Sequence, residues 1–194
     1  MASDECYAEL GWGQWEDTPI PSILHDTVSG GDLTGLLSVY SLSKQSNMAG
    51  YRAAFVAGDA ELIAALINLR SHTGMVVPGP IQQAMIAALG DDDHVAEQKA
   101  RYRDRRTQLL TALKTAGLAV EHSEAGLYLW VCDPAVTQPT ADDSWALVER
   151  FAQAGMLVGP GVFYSPAGNG YIRLSLTATD DAITRAVARL NAGI

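Results

Sequence analysis

The sequence predicts an α/β protein whose first part is an incomplete sheet domain and whose second part is a small α+β unit. Three observations carry this. Two short runs, Gly35–Ser41 and Arg52–Ala57, read as strands ahead of a block of helices. A long helical stretch from about Val95 to Ala116 separates the two parts. After Gly117, strand and helix patterns follow one another in the order ββαββα.

Taken in order, residues 10–34 are rich in Gly, Pro, Asp and Ser and read as a long irregular segment. A purely structural loop of that length is unusual, which marks it as a candidate functional surface. Leu36, Leu37, Val39 and Tyr40 make the first run a buried strand, and Gln45–Gly50 is a polar loop. Asp59 is a good N-cap for a helix carrying Leu62, Ile63, Leu66, Ile67 and Leu69 up to Gly74. Pro80 opens another helix through Ile81, Met85 and Leu89. The long helix ends at Gly117, and its Arg101, Arg103, Arg105 and Arg106 read as a solvated face. Leu118–Val120, Leu127–Val131, Met156–Val158 and Tyr171–Leu176 read as strands. Asp142 or Asp143 caps a helix with Trp145, Val148 and Phe151 on one face, ended by Gly155, and Thr179 caps the last helix through Ile183, Val187 and Leu190. The strands before residue 90 do not complete a sheet by themselves. The expected division is 1–90 and 91–194.

The chain has 194 residues, 48% of them apolar, which suffices for a sizeable core. A formal net charge of −9 argues against nucleic acid or an anionic membrane as partner. No apolar run approaches the roughly 18 residues of a membrane span, and no secretory signal is visible. Cys6 and Cys132 have no metal or redox spacing, so a cytoplasmic protein with two reduced cysteines is expected. His25, His72, His94 and His122 form no HxxxH or HExxH pair, so no metal site is expected.

Lys44 ends the Ser41-Leu42-Ser43-Lys44 run, where a strand meets a loop. A lysine held at a sheet edge and partly buried can attack a carbonyl to form a Schiff base. Alone, the four-residue pattern is common and more often marks a surface lysine at a strand end. Arg52 follows across a loop containing Gly50, and its guanidinium fork and the Ser41 hydroxyl could both reach a phosphate. Asp4 and Tyr7, in Asp4-x-x-Tyr7, could converge on a heteroaromatic ring. Arg173 lies between apolar residues of a strand. It calls for a way to the surface or for an anionic partner, either a structural salt bridge or a ligand carboxylate.

In that order, Asp4-x-x-Tyr7, Ser41-x-Ser43-Lys44, Arg52 and Arg173 resemble the signature of fold-type I pyridoxal-phosphate (PLP) aminotransferases, class I/II, over essentially the whole chain. Gly50-Tyr51-Arg52 resembles the family's Gly-aromatic-Arg turn. Gly159-Pro160-Gly161 with Tyr171-Ile172-Arg173 resembles its substrate-carboxylate region. The stretch Asp4–Trp12 and the run Gly126-Leu127-Tyr128-Leu129-Trp130 are similar to actinobacterial N-succinyldiaminopimelate aminotransferases, enzymes of lysine biosynthesis.

The resemblance implies the C-terminal part of an aspartate-aminotransferase-like fold, with an incomplete large-domain sheet, a linking helix and a small domain. It implies that Lys44 holds PLP and then moves a proton, that Asp4 pairs with the ring nitrogen, and that Tyr7 bonds the ring oxygen. Ser41 and Arg52, with Ser43 as a further candidate, would hold the phosphate, and Arg173 the substrate carboxylate. The substrates would be an amino acid and a 2-oxo acid, and the full-length protein a homodimer. Family members are roughly twice as long, so the expectation is a fragment without the N-terminal half, binding PLP weakly and transaminating little alone. A PLP β-lyase and a non-catalytic remnant or interaction module are the competing readings.

Overall fold

Leu37-Ser38-Val39-Tyr40 carries a β-branched and an aromatic residue that favour extended backbone, and it forms the central strand of a three-stranded sheet in which Ser38 is buried and Leu37, Val39 and Tyr40 are half-buried. In the computed structural model, which describes residues 1–194, this β2 (Leu37–Tyr40) runs parallel to β1 (Ala2–Asp4) and antiparallel to β3 (Phe55–Gly58). The register sets Asp4 opposite Val39, and the Glu5 amide continues the ladder onto Val39 O at 2.9 Å. At the other end of β3, Gly58 has φ +139°, and a Cβ there would run into the Leu36 carbonyl, so glycine is required. Asp59 then caps α2 (Ala60–Thr73), accepting from the Glu61 and Leu62 amides, and its second oxygen takes the Gly35 amide at 2.6 Å. The helix α3 (Gly79–Leu89) follows, with proline in its first turn, and sends Met85 to a small core with Leu42 and Ala53.

The chain separates into two compact units, Met1–Lys99 and Ala100–Ile194, with the division inside α4 (Asp92–Thr115). The second unit has a four-stranded antiparallel sheet. Its strands are β4 (Ala119–Glu121), β5 (Tyr128–Cys132), β6 (Gly159–Pro160) and β7 (Tyr171–Ser175), in the order β4-β5-β7-β6. Strict alternation along β5 and β7 sends Leu129, Val131, Ile172 and Leu174 inward. There they share the core with Leu109 and Leu113 of α4, Leu147 and Phe151 of α5 (Ala141–Gln153), and Ile183 and Leu190 of α6 (Asp180–Asn191).

Several expectations need correction. Residues 10–34 are not wholly irregular: a short helix, α1 (Asp26–Ser29), is capped by His25, whose Nδ1 accepts from the Thr27 amide. The second strand begins at Phe55 rather than Arg52, because Arg52 is left-handed (φ 52°) and ends a 3₁₀ turn over Ala49–Tyr51. The long helix starts at Asp92, whose carboxylate suits a helix N-terminus. Thr140, not Asp142 or Asp143, caps α5, and Asp143 closes a capping box on it. The buried stripe of α5 is Ser144, Leu147 and Phe151, which turns Trp145 outward. Met156–Val158 is not a strand; pairing begins at Gly159, and Leu157 is 97% exposed. Arg105 and Arg106 are not solvated. Arg105 donates to Asp180 at 2.6 Å and Leu176 O at 3.1 Å, and Arg106 to Ser123 O at 2.9 Å. No helix is long and apolar enough to cross a membrane, and no group of three or more His, Cys, Asp or Glu side chains could hold a metal ion.

Candidate active site

Parallel strands present the residues that follow them at one shared end of the sheet, the usual location of a ligand crevice in α/β folds. In the first unit, Asp4 and its turn leave β1 at that end, and Ser41–Lys44 leave β2 there. The Asp4 carboxylate accepts from the Cys6 amide at 3.2 Å, and the turn closes through Ala8 N to Glu5 O and Leu10 N to Tyr7 O. That turn places the Tyr7 ring 5.9 Å beneath the Lys44 ammonium. Burial and the neighbouring Asp4 carboxylate raise the Cys6 thiol to about 11, while the positive charge of Lys44 pulls it down. Asp4, Cys6, Tyr7 and Lys44 therefore occupy one electrostatic neighbourhood.

Between the two serines, Leu42 is driven into the core beside Ala53 and Met85. With that side chain fixed inward, Ser41 and Ser43 turn the other way, and their hydroxyls bond each other at 2.8 Å. Ser41 Oγ also donates to Ala53 O at 3.2 Å, which ties it to the residue after Arg52. Arg52 itself is exposed, and its guanidinium donates to Ala49 O at 2.9 Å. Of the residues singled out by sequence, Lys44, Tyr7 and Asp4 form one group, and Ser41, Ser43 and the Arg52 turn form a second around the same strand end. Arg173 belongs to the other unit. There its Cζ lies 4.1 Å from the Tyr128 ring centroid and 5.0 Å from that of Tyr164. Of the two anionic partners considered for Arg173, the structural salt bridge is absent: ion pairs of its unit join Arg105 to Asp180, Arg150 to Asp133, Arg185 to Asp181 and His122 to Glu121.

Sequence reading missed Glu5. Burial acts against its carboxylate, but the Ile23 amide and the Ser22, Ser38 and Ser3 hydroxyls outweigh burial and hold its pKa below the usual value. Its oxygens take the Ile23 amide and the Ser38 hydroxyl, each at 2.8 Å. Glu5 thus anchors the irregular segment to β2. Ser38, a serine inside an otherwise apolar strand, was the available signal. Tyr40 was missed likewise; burial first, then the charges of Glu9, Cys6 and Glu5, raise its phenol to about 12.

Residues 1–190 match the family model for aminotransferase class I and II, and the chain belongs to that family, whose members are PLP-dependent. It is 50% identical over 190 residues to a probable aminotransferase of Mycobacterium tuberculosis, covering 98% of this chain and 43% of that one. It is 48% identical over 190 residues to the 4-dedimethylamino-4-oxo-anhydrotetracycline transaminase OxyQ of Streptomyces rimosus, covering 98% of this chain and 50% of that one. An LL-diaminopimelate aminotransferase of Dehalococcoides mccartyi is 37% identical over 155 residues, covering 79% of this chain and 39% of that one. Among solved structures, an aminotransferase of Staphylococcus aureus superposes with a TM-score of 0.82 at 30% identity, over 98% of this chain and 48% of its own. A Thermus thermophilus aspartate aminotransferase variant does so with a TM-score of 0.80 at 23% identity, over 98% and 47%, which bears on the fold alone. The fold is aspartate-aminotransferase-like, and the chain spans about half the length of the curated relatives it matches.

Proposed function

We propose that this chain supplies the lysine-bearing part of a PLP-dependent aminotransferase that moves an amino group between an amino acid and a 2-oxo acid. The observation that carries the reading is the placement of the Lys44 ammonium over Tyr7, with Asp4 and Lys44 both close enough to Cys6 to act on its thiol, at the shared end of a parallel strand pair. Residues 1–90 are assigned to the cofactor-binding domain and 91–194 to the linking helix and small domain. The complete protein is taken to be a cytoplasmic homodimer.

The side chains at this strand end fit PLP by chemistry. Lys44 and Arg52 are cations, the Ser41–Ser43 pair offers hydroxyl donors, and Asp4 is a carboxylate. Those are counterparts for an aldehyde, a phosphate and a basic ring nitrogen. When bound, PLP supplies an electron sink for the bond broken at the substrate Cα. Lys44 Nζ would hold the cofactor and would carry a proton to or from that Cα. Asp4 would pair with the ring nitrogen and keep it protonated, and Tyr7 would donate to the ring oxygen. Ser41, Ser43 and Arg52 would hold the phosphate, and Arg173 would orient the substrate by its α-carboxylate. For the amino donor, N-succinyldiaminopimelate is the proposed substrate; relatives named LL-diaminopimelate aminotransferases support that class.

The test is a PLP titration of the purified chain, borohydride reduction and peptide mass mapping. The expected result is an absorbance band in the visible range, with reduced label on Lys44 that Lys44→Ala abolishes. Label scattered over several lysines, or surviving in Lys44→Ala, overturns the assignment.

A further inference from the structure

The outer face of the second unit's sheet is aromatic where a solvated face would be polar. While Leu129, Val131, Ile172 and Leu174 enter the core, Tyr128, Trp130, Tyr171 and Arg173 share the opposite face. Strand register places Glu121, Trp130, Arg173 and Gly159 in one row across the sheet. Glu121 is the carboxylate of that row, and it does not reach the guanidinium. Trp130 stands between them, and Glu121 accepts the Tyr171 hydroxyl at 2.5 Å. Tyr171 stacks on Trp130 at 5.4 Å, and Tyr164 meets Trp130 edge-on at 5.6 Å. Arg173 is left between two tyrosine rings, Tyr128 at 4.1 Å and Tyr164 at 5.0 Å. Gly159 puts no side chain beside it; a Cβ there would already touch the Tyr164 hydroxyl at 3.8 Å.

We infer that Tyr128 and Tyr164 are positioning residues that hold the Arg173 guanidinium against their rings in place of a carboxylate, leaving its N–H donors open for the substrate carboxylate. The inference rests on the assignment of Arg173 proposed above. A ring face attracts a cation through its quadrupole and fixes the plane of the guanidinium without consuming an N–H group. A carboxylate would fix it as well, but through the same bidentate edge that the substrate needs. The substrate would then have to displace an ion pair before binding. A guanidinium held by rings is already unpaired and ordered, which removes part of the entropic cost of forming the bidentate contact.

The test uses the full 194-residue chain and the side-chain Nε–Hε correlations of its arginines, with Arg173→Lys identifying the relevant signal. Expected is a rigid signal shifted upfield by the rings, kept in Tyr164→Phe and moved to the unshifted, mobile range in Tyr164→Leu. Tyr128→Leu repeats the test from the other ring, and backbone amide spectra check that each variant is folded. An unshifted wild-type signal, or one that neither leucine variant moves, overturns the clamp. With 2-oxoglutarate as probe, Tyr164→Leu should bind about two- to fivefold more weakly and Tyr164→Phe within about twofold of wild type. If 2-oxoglutarate does not bind, or Arg173→Lys binds it unchanged, the carboxylate role of Arg173 fails. The clamp itself is still decided by the resonance.

Discussion

Helix α2 of the first unit has no fully buried residue, whereas α5 and α6 of the second bury Leu147, Phe151, Ile183 and Leu190. In the first unit, Ile67 is 64% exposed and Ile86 61%, and with Phe55, Ile63, Val76 and Met85 they border an open apolar groove of about 760 Å³. In the second, helices close over one face of the sheet and Phe151 is 0% exposed. The second unit thus gains from the hydrophobic effect much of what a small domain can gain. The first leaves that area in water and relies on polar ties, namely Asp59 to Gly35 and Glu5 to Ser38 and Ile23. Stability and chemistry are unevenly shared: the candidate lysine sits in the unit with the smaller core.

Truncating one apolar side chain in each unit separates the two most directly. Phe151→Ala should cost about 3–5 kcal/mol, whereas Ile67→Ala should stay within about 0.5 kcal/mol, both read by denaturant unfolding. Equal losses would mean that the groove is closed in solution. Thr140→Ala removes the cap of α5 and should cost about 1 kcal/mol, with hydrogen exchange accelerating in the second unit and not in the first. The polar ties make the first unit sensitive to acid. Because the folded state holds the Glu5 proton less tightly than the unfolded chain does, Glu5 contributes stability above the ordinary glutamate pKa. That contribution is lost as the pH falls through its depressed value, so Glu5→Gln should flatten the acid limb of a stability–pH curve. The smallest effect is confined to one group. The bond to Glu121, with burial adding to it, raises the Tyr171 phenol to about 12, and Glu121→Gln should return its absorbance titration toward the ordinary tyrosine range.

Features written in neighbouring residues were legible in the sequence. Asp59 and Thr179 cap their helices as expected, because a cap needs only amides two or three residues ahead. Arg105 and Arg106 were misread because their partners, Asp180, Leu176 and Ser123, lie far along the chain. Arg52 was misread because left-handed backbone at a non-glycine residue leaves no compositional mark. At the candidate site, ordered motifs pointed to Lys44, Asp4 and Tyr7. The Glu5 anchor and the tyrosine pair around Arg173 depend on partners brought together from distant parts of the chain, which composition does not carry.

Leu42 separates two serines and lies in the core, and its burial there sets where the neighbouring hydroxyls and Lys44 begin. The Lys44 end of this sheet is thereby tied to the volume of the helical layer behind it, through Met85, Ile81 and Ala88. Drift in the size of those apolar residues could retune the position of Lys44 without changing a single polar group, a route by which one lysine-bearing scaffold can diversify.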